Sequence, residues 1–404
     1  MSMAAPVPAP VPPSAVVAST AVAKALYKQI QVDHEVCDAG DEDSFFVCDL
    51  GEIRRAFAQW QHQLPMVKPY YAVKCNPHFQ VVKLLGQLGA NFDCASKAEI
   101  DEVLSLGFSP DQIVYANPCK TNSFIRHSQQ VGVKLTTVDN TTELHKLARF
   151  HPKCGVLVRL TTDDSAAQCR LSTKFGCTVD EAIGDILPLA RQLGLNVRGV
   201  AFHVGSGAKD FTSINTAMKD SRQVIDAAVA MGFQVDTLDI GGGFERATFA
   251  ESSAMVRASL DQYFAGSDIN VIAEPGRFMV SDAFTLAAHV IAKRPHEVPM
   301  VYINDGVYGN MNCILFDHQT PEAHVLVHRS QFVYGDSGVG SFKCSIWGPT
   351  CDGLDCVSGD ASLGWDVDVG DWLYFPRLGA YTSAASTAFN GFSSTTKVVF
   401  VDTA

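Results

Sequence analysis

The sequence predicts an α/β chain, a (β/α)8 TIM-like barrel followed by a mostly antiparallel β domain. Three observations carry that expectation. From about residue 68 to residue 280 short apolar runs alternate with longer stretches of helical spacing. After residue 285 the helical spacing fades, and short segments rich in β-branched and aromatic residues follow one another between turn signals. Before both lies a Pro- and Ala-rich stretch, "MSMAAPVPAPVPPSAVVAST", with no periodicity of either kind.

That first stretch lacks a basic leader and is broken by proline, which argues against a signal peptide or a membrane span. Residues 1–24 are expected to be a disordered tail. The apolar runs that follow are "YYAVK", "FDCAS", "IVYANP", "LTTVDN", "VLVRL", "GVAFHVGS", "TLDIGGG" and "NVIAEPG". Alternation of strands with helices builds a parallel sheet wrapped in helices. Eight such units over roughly 210 residues match the size of a closed barrel. The intervening segments support this: "DEAIGDILPLARQLG" (180–194) and "NTAMKDSRQVIDAAVAMG" (215–232) carry apolar residues three and four apart and end in glycine. The barrel is placed at residues 50–283.

The segments "AFTLAAHVIAKR", "MVYINDGVYG", "HVLVHR", "FKCSIWG", "DWLYFPR" and "KVVFVD" then read as strands of a β-sandwich or β-barrel domain. That domain is expected to combine residues 25–49 with 284–404.

A formal charge of −12 among 404 residues leaves no basic face for nucleic acid and no Lys/Arg run for an anionic membrane. Small, cationic partners fit better. The twelve cysteines are scattered, without a CxxC pair or a Cys/His metal-ligand spacing, and read as reduced thiols of a cytoplasmic protein that holds no metal.

Chemistry in such a barrel gathers at the C-terminal ends of its strands. Those ends are polar here: Lys74, Asp93, Arg159, His203 with Ser206, Gly241 to Gly243, and Glu274 with Gly276 and Arg277. Each alone has an ordinary structural explanation, such as a solvated rim lysine, a satisfied core histidine or a tight turn. Their convergence on one rim does not. "GGGF" (241–244) and "EPGRF" (274–278) close the last two strands, where barrels often bind phosphate, and Arg277 adds charge. Neither is a Walker loop nor a dinucleotide fingerprint, so ATP and NAD are excluded. A lysine facing a phosphate cradle points to pyridoxal 5'-phosphate, whose aldehyde forms a Schiff base with a lysine amine. Glu274 would then pair with the ring nitrogen, and His203 would lie against the ring.

The motifs "YYAVKCN", "FDCASKAEI", "YANPCK", "TTDDSAAQCRLSTKFG", "FHVGSG", "LDIGGGF", "AEPGRF", "NDGVYGNMNCILFDH", "WGPTCDGLD" and "GAYTSAASTAFNGF" follow in order. In this series the sequence resembles the eukaryotic ornithine decarboxylase family over residues 25 to 404. The resemblance implies an alanine-racemase-like barrel, and decarboxylation of a basic amino acid, L-ornithine to putrescine and CO2, through a quinonoid intermediate. It makes Lys74 the Schiff-base lysine, with His203 stacked on the cofactor and Glu274 paired with its ring. It lines the cofactor site with Asp93, Arg159 and Ser206, and surrounds the phosphate with Gly241, Gly242, Gly243, Gly276, Arg277 and Tyr381. Cys351 becomes the acid that returns a proton to Cα. Asp317 and Asp352, with Tyr308 and Phe389, hold the distal amine. It also implies a homodimer in which "CDGLD" reaches into the partner's active site.

Some positions depart from the family pattern: Cys356 where a basic residue is common, Pro376, Arg377 and Leu378 where an acidic-asparagine-methionine run is usual, and Phe316 where tyrosine is frequent. They crowd the substrate end. A paralogue acting on lysine or a larger amino-acid derivative is therefore the alternative. A catalytically inactive regulatory homologue ranks lower, because the matching cofactor and acid residues are all present.

Overall fold

The computed structural model describes residues 20–31, 36–163, 172–205 and 211–403. Ser206 lies outside the described residues. The chain divides into two units, Arg55–Met279 and a second made of Met1–Arg54 with Val280–Ala404.

In the first unit eight strands close a parallel barrel: Val67–Ala72, Asn91–Cys94, Ile113–Tyr115, Leu135–Val138, Gly155–Arg159, Asn196–Ala201, Thr237–Asp239 and Asn270–Ala273. The ring closes by pairing Val67 with Val271. Gly155–Arg159 is buried at every position, as expected of a parallel strand covered on both faces. Val114, Ala116, Leu157, Ala201 and Ile272, from four of the strands and the turn after one of them, pack together in the barrel interior. Most strands are shorter than the apolar runs that announced them. "TLDIGGG" is extended only as far as Asp239, and "YYAVK" stops at Ala72, where the tight turn Val73–Cys75 begins.

The helix expected over 180–194 is interrupted. Val179–Glu181 and Leu187–Gln192 are α-helical, with a widened π-type turn at Ala182–Ile186 between them. Pro188, which has no N–H to donate, sits in the turn that follows, so the hydrogen-bond ladder shifts there. The second helix is regular over Thr212–Ala230.

The second unit holds a nine-stranded sheet. Phe284–Arg294 is its spine, antiparallel to Phe45–Asp49, Met300–Ile303 and Trp372–Phe375. Two pairings are parallel, Phe45–Asp49 with Lys397–Val401 and Met300–Ile303 with Phe342–Trp347. A helix, Ala21–Gln29, occupies residues that the sequence reading assigned to the tail up to residue 24. Thr20 caps it by accepting from the Ala23 N–H. Its Ala23 and Leu26, with Ile30, pack on Phe45, Val47, Leu326 and Trp372. Burying Leu26 and Ile30 stabilises by about 1.5–3 kcal/mol each, enough to order a short helix that would be marginal alone. Among the described residues no helix is long and apolar enough to cross a membrane.

Candidate active site

The polar residues of the barrel rim form one electrostatic cluster. Lys74 stands in the turn after the first barrel strand, and its Nζ pairs with Asp93. Asp93 lies in the next strand, level with Ala72, and is wholly buried. Its second oxygen, Oδ1, is buried with no hydrogen-bond partner among the described residues. Arg159 closes the fifth strand at 8 % exposure, its guanidinium 5.6 Å from the centre of the Phe175 ring.

His203 accepts the Gly205 N–H at Nδ1, 3.0 Å away, and its carbonyl accepts the Thr162 hydroxyl at 2.9 Å. Burial, reinforced by Arg159 and Lys74, holds its pKa well below the usual imidazole value. The ring is neutral at physiological pH.

The glycine turn is set by close approach. Gly241 and Gly243 have φ of 66° and 92°, and a Cβ on either would meet a carbonyl oxygen, of Phe202 at 2.2 Å or of Gly205 at 2.1 Å. Only glycine fits. Asp239, absent from the residues singled out in the sequence, fixes this turn by accepting the Gly241 N–H at 2.9 Å, while the Gly241 carbonyl accepts from the Glu274 N–H at 2.7 Å. Its signal was present, as the acid two residues before "GGG", but it was read only as part of a strand.

Asp239 and Glu274 are thereby neighbours. Burial first, then Asp239 and Asp93, raise Glu274 well above the usual carboxylate range. Burial raises Asp239 to about 7, opposed by hydrogen bonds from Gly241 and Glu274. Glu274 therefore holds its proton more readily than an exposed carboxylate does. A buried acid whose folded pKa exceeds its unfolded value stabilises most at low pH, and loses that contribution as pH rises towards the folded pKa. In cofactor-free protein, Asp239→Asn is therefore expected to narrow the stability difference between pH 5 and pH 7 by about 2 kcal/mol. Urea unfolding at the two pH values measures it, and an unchanged difference would contradict the assignment.

Gly276 accepts the Met279 N–H at 3.0 Å in the turn that starts the short helix Arg277–Val280, and Arg277 Nε lies 3.7 Å from Glu245.

The second unit brings together a different group. The Tyr308 hydroxyl donates to Asp352, whose other oxygen accepts the Leu354 N–H at 3.0 Å. These bonds, the tyrosine's first, hold the Asp352 carboxyl below its ordinary range, so it is ionised at neutral pH. Tyr308 stacks on Phe389 with ring centres 4.4 Å apart. Cys351 is exposed, and its N–H donates to Asn390 Oδ1 at 2.9 Å. Asp317 is buried at the end of the helix Cys313–Phe316, and Tyr381 has a left-handed φ of 55°. Asp355, which the sequence reading passed over, is 1 % exposed and accepts from the Val307 and Thr350 N–H groups and the Thr350 hydroxyl.

Residues 50–281 match the family described as "Pyridoxal-dependent decarboxylase, pyridoxal binding domain". The chain belongs to the pyridoxal-dependent decarboxylases. This decarboxylase is 58 % identical over 92 % of its length to the ornithine decarboxylase of Candida albicans, of which the match covers 86 %. It is 43 % identical over 90 % of its length to antizyme inhibitor 2 of Xenopus laevis, 82 % of which is covered. Among solved structures it resembles the Paramecium bursaria Chlorella virus arginine decarboxylase bound to agmatine, with a TM-score of 0.84 and 33 % identity, covering 89 % of this chain and 97 % of that one.

Pyridoxal phosphate is the decarboxylase's cofactor, and the barrel residues fit it. The glycine turn has no room for a Cβ, Asp93 has an unpartnered buried oxygen, and the Glu274–Asp239 pair buries acid that a protonated ring nitrogen would compensate.

Proposed function

We propose that the protein decarboxylates a basic amino acid, L-ornithine to putrescine and CO2, at sites shared between two copies of the chain. The observation that carries the substrate class is Asp352, an ionised carboxylate held in place by Tyr308 beside Cys351. A fixed anion at the distal end of the substrate selects an ammonium group and repels a second carboxylate, which disfavours diaminopimelate. Asp317 is the second anion for that amine.

Lys74, whose amine pairs with Asp93, would hold the cofactor through its aldehyde carbon. Glu274 would supply the proton that the ring nitrogen requires, and Asp239 fixes the Gly241 turn whose carbonyl accepts the Glu274 N–H. His203, being neutral, offers a flat face without adding charge to the ring. The backbone N–H groups of Gly241 to Gly243, with Gly276 and Arg277, would hold the phosphate, and Asp93 and Arg159 would line the site. When bound, the cofactor's protonated ring takes up the electron pair left on Cα as CO2 departs. Cys351 then supplies the proton to Cα from its thiol.

The loops that carry Cys351 and Phe389 also expose Leu354 (66 %) and Phe392 (44 %), apolar groups suited to a subunit interface. Cys48, Cys94, Cys154, Cys177 and Cys344 are buried as free thiols, which supports a reducing, cytoplasmic setting.

Offering L-ornithine, L-lysine and L-arginine side by side to the loaded enzyme tests the substrate, with putrescine expected as the dominant product. Cadaverine or agmatine in excess would transfer the assignment to lysine or arginine. The alternative of a rebuilt pocket rests on Phe316, 69 % exposed immediately before Asp317, and predicts turnover of none of the three.

Cys351→Ala is expected to lower kcat about 100-fold, the usual scale for loss of a positioned acid, and to send part of the product to an aldehyde. Unchanged turnover and product would remove Cys351 from that role.

A further inference from the structure

Asn390 lies in the turn Phe389–Gly391, with a left-handed backbone of φ 56° and ψ 14°. Asparagine tolerates that region better than most side chains. The conformation aims its Oδ1 at the Cys351 N–H, 2.9 Å away. Its neighbour Phe389 stacks on Tyr308, and the Thr387 N–H and hydroxyl both bond the Tyr308 carbonyl, at 2.9 and 3.0 Å. Tyr308 in turn donates to Asp352. One short segment, residues 387–391, thus bears on both residues of the Cys351–Asp352 dipeptide, directly at Cys351 and through Tyr308 at Asp352.

The base of that loop is already anchored by Asp355 through its bonds to Val307 and Thr350. Of these bonds, the one that Asn390 accepts acts directly on the main chain of Cys351. We propose that Asn390 is a positioning residue for the Cys351 thiol, and that it decides which carbon receives the proton after CO2 is lost. The proposal rests on the reading of Cys351 as the acid.

The chemistry makes misplacement visible in the products. A proton delivered to Cα releases the amine and returns the cofactor unchanged. A proton delivered instead to the cofactor's aldehyde-derived carbon leaves the substrate carbon at the aldehyde level. Water supplies the carbonyl oxygen, the nitrogen stays on the cofactor as pyridoxamine phosphate, and no outside oxidant is used. Small displacements of a catalytic group change such partitions strongly, because proton transfer needs hydrogen-bond reach.

The test uses the loaded enzyme with L-ornithine and measures aldehyde formed per CO2 released, pyridoxamine phosphate, kcat and KM. Asn390→Gly keeps the left-handed turn but deletes the acceptor. Asn390→Asp keeps an acceptor oxygen on a residue that also tolerates the turn. The glycine variant is expected to lower kcat about tenfold, raise the aldehyde fraction about tenfold and change KM less than about twofold. The aspartate variant is expected to restore the natural partition. A glycine variant with the natural partition, or an aspartate variant as diverted as the glycine one, overturns the proposal. Cys351→Ala separates the two readings. If it diverts product and Asn390→Gly does not, positioning by Asn390 is wrong while the acid stands; if Cys351→Ala leaves the partition unchanged, the acid assignment falls and this proposal with it.

Discussion

Lys74→Ala is expected to abolish CO2 release, by at least about 10⁴-fold, because it removes both the covalent hold on the cofactor and a proton-carrying amine next to the reacting carbon. The same change strips Asp93 of its cation. Asp93 is wholly buried, and leaving a buried charge unpaired costs about 3–5 kcal/mol, so the alanine variant alone would confuse lost chemistry with lost stability. Lys74→Arg separates them. It retains a cation for Asp93 but offers a permanently charged guanidinium that cannot attack an aldehyde. The arginine variant is expected to melt within a few degrees of the wild type, to lack the yellow absorbance that bleaches on borohydride treatment, and to be as inactive as the alanine variant. Turnover above about a hundredth of wild type in either variant would remove Lys74 from its covalent role.

How far the barrel could be read from the sequence follows from how its strands are buried. A parallel strand covered on both faces appears as a continuous apolar run, and eight such runs mark the eight observed strands. Their ends were less legible. Asp239 and Lys74 lie at points where the chain leaves the sheet, and hydrogen bonds fix those points more than hydrophobicity does. The strand Phe45–Asp49 was harder still, since it pairs with residues from 284 to 287 and from 397 to 401, partners that no local pattern announces.

The site shows the same division. Lys74, His203 and Glu274 stand out as candidates in the sequence because their chemical types are unusual at strand ends. Asn390 does not, because what singles it out is a left-handed backbone and one bond to a residue 39 positions away. Asp355 reads in sequence as the last letter of "CDGLD", and only the folded loop shows its carboxylate buried as an anchor.

Mixing inactive chains is expected to restore activity, and this bears on the shared site directly. If Lys74 of one subunit works with the partner subunit's Cys351 and Asp352, a dimer of Lys74→Ala and Cys351→Ala chains holds one doubly damaged site and one intact site. Random exchange at equal amounts makes half of the dimers mixed, each with one working site of two, so activity should recover to about a quarter of wild type. The two variants alone should stay near or below about a hundredth. Recovery should require exchange, appearing after incubation or co-expression and failing when the dimers are cross-linked beforehand. Sites built within single chains give a different result, because no mixture then creates an undamaged site, and activity stays at the average of the two variants. The size of the recovery, a quarter against about a hundredth, is large enough that a simple CO2-release assay decides between the two arrangements.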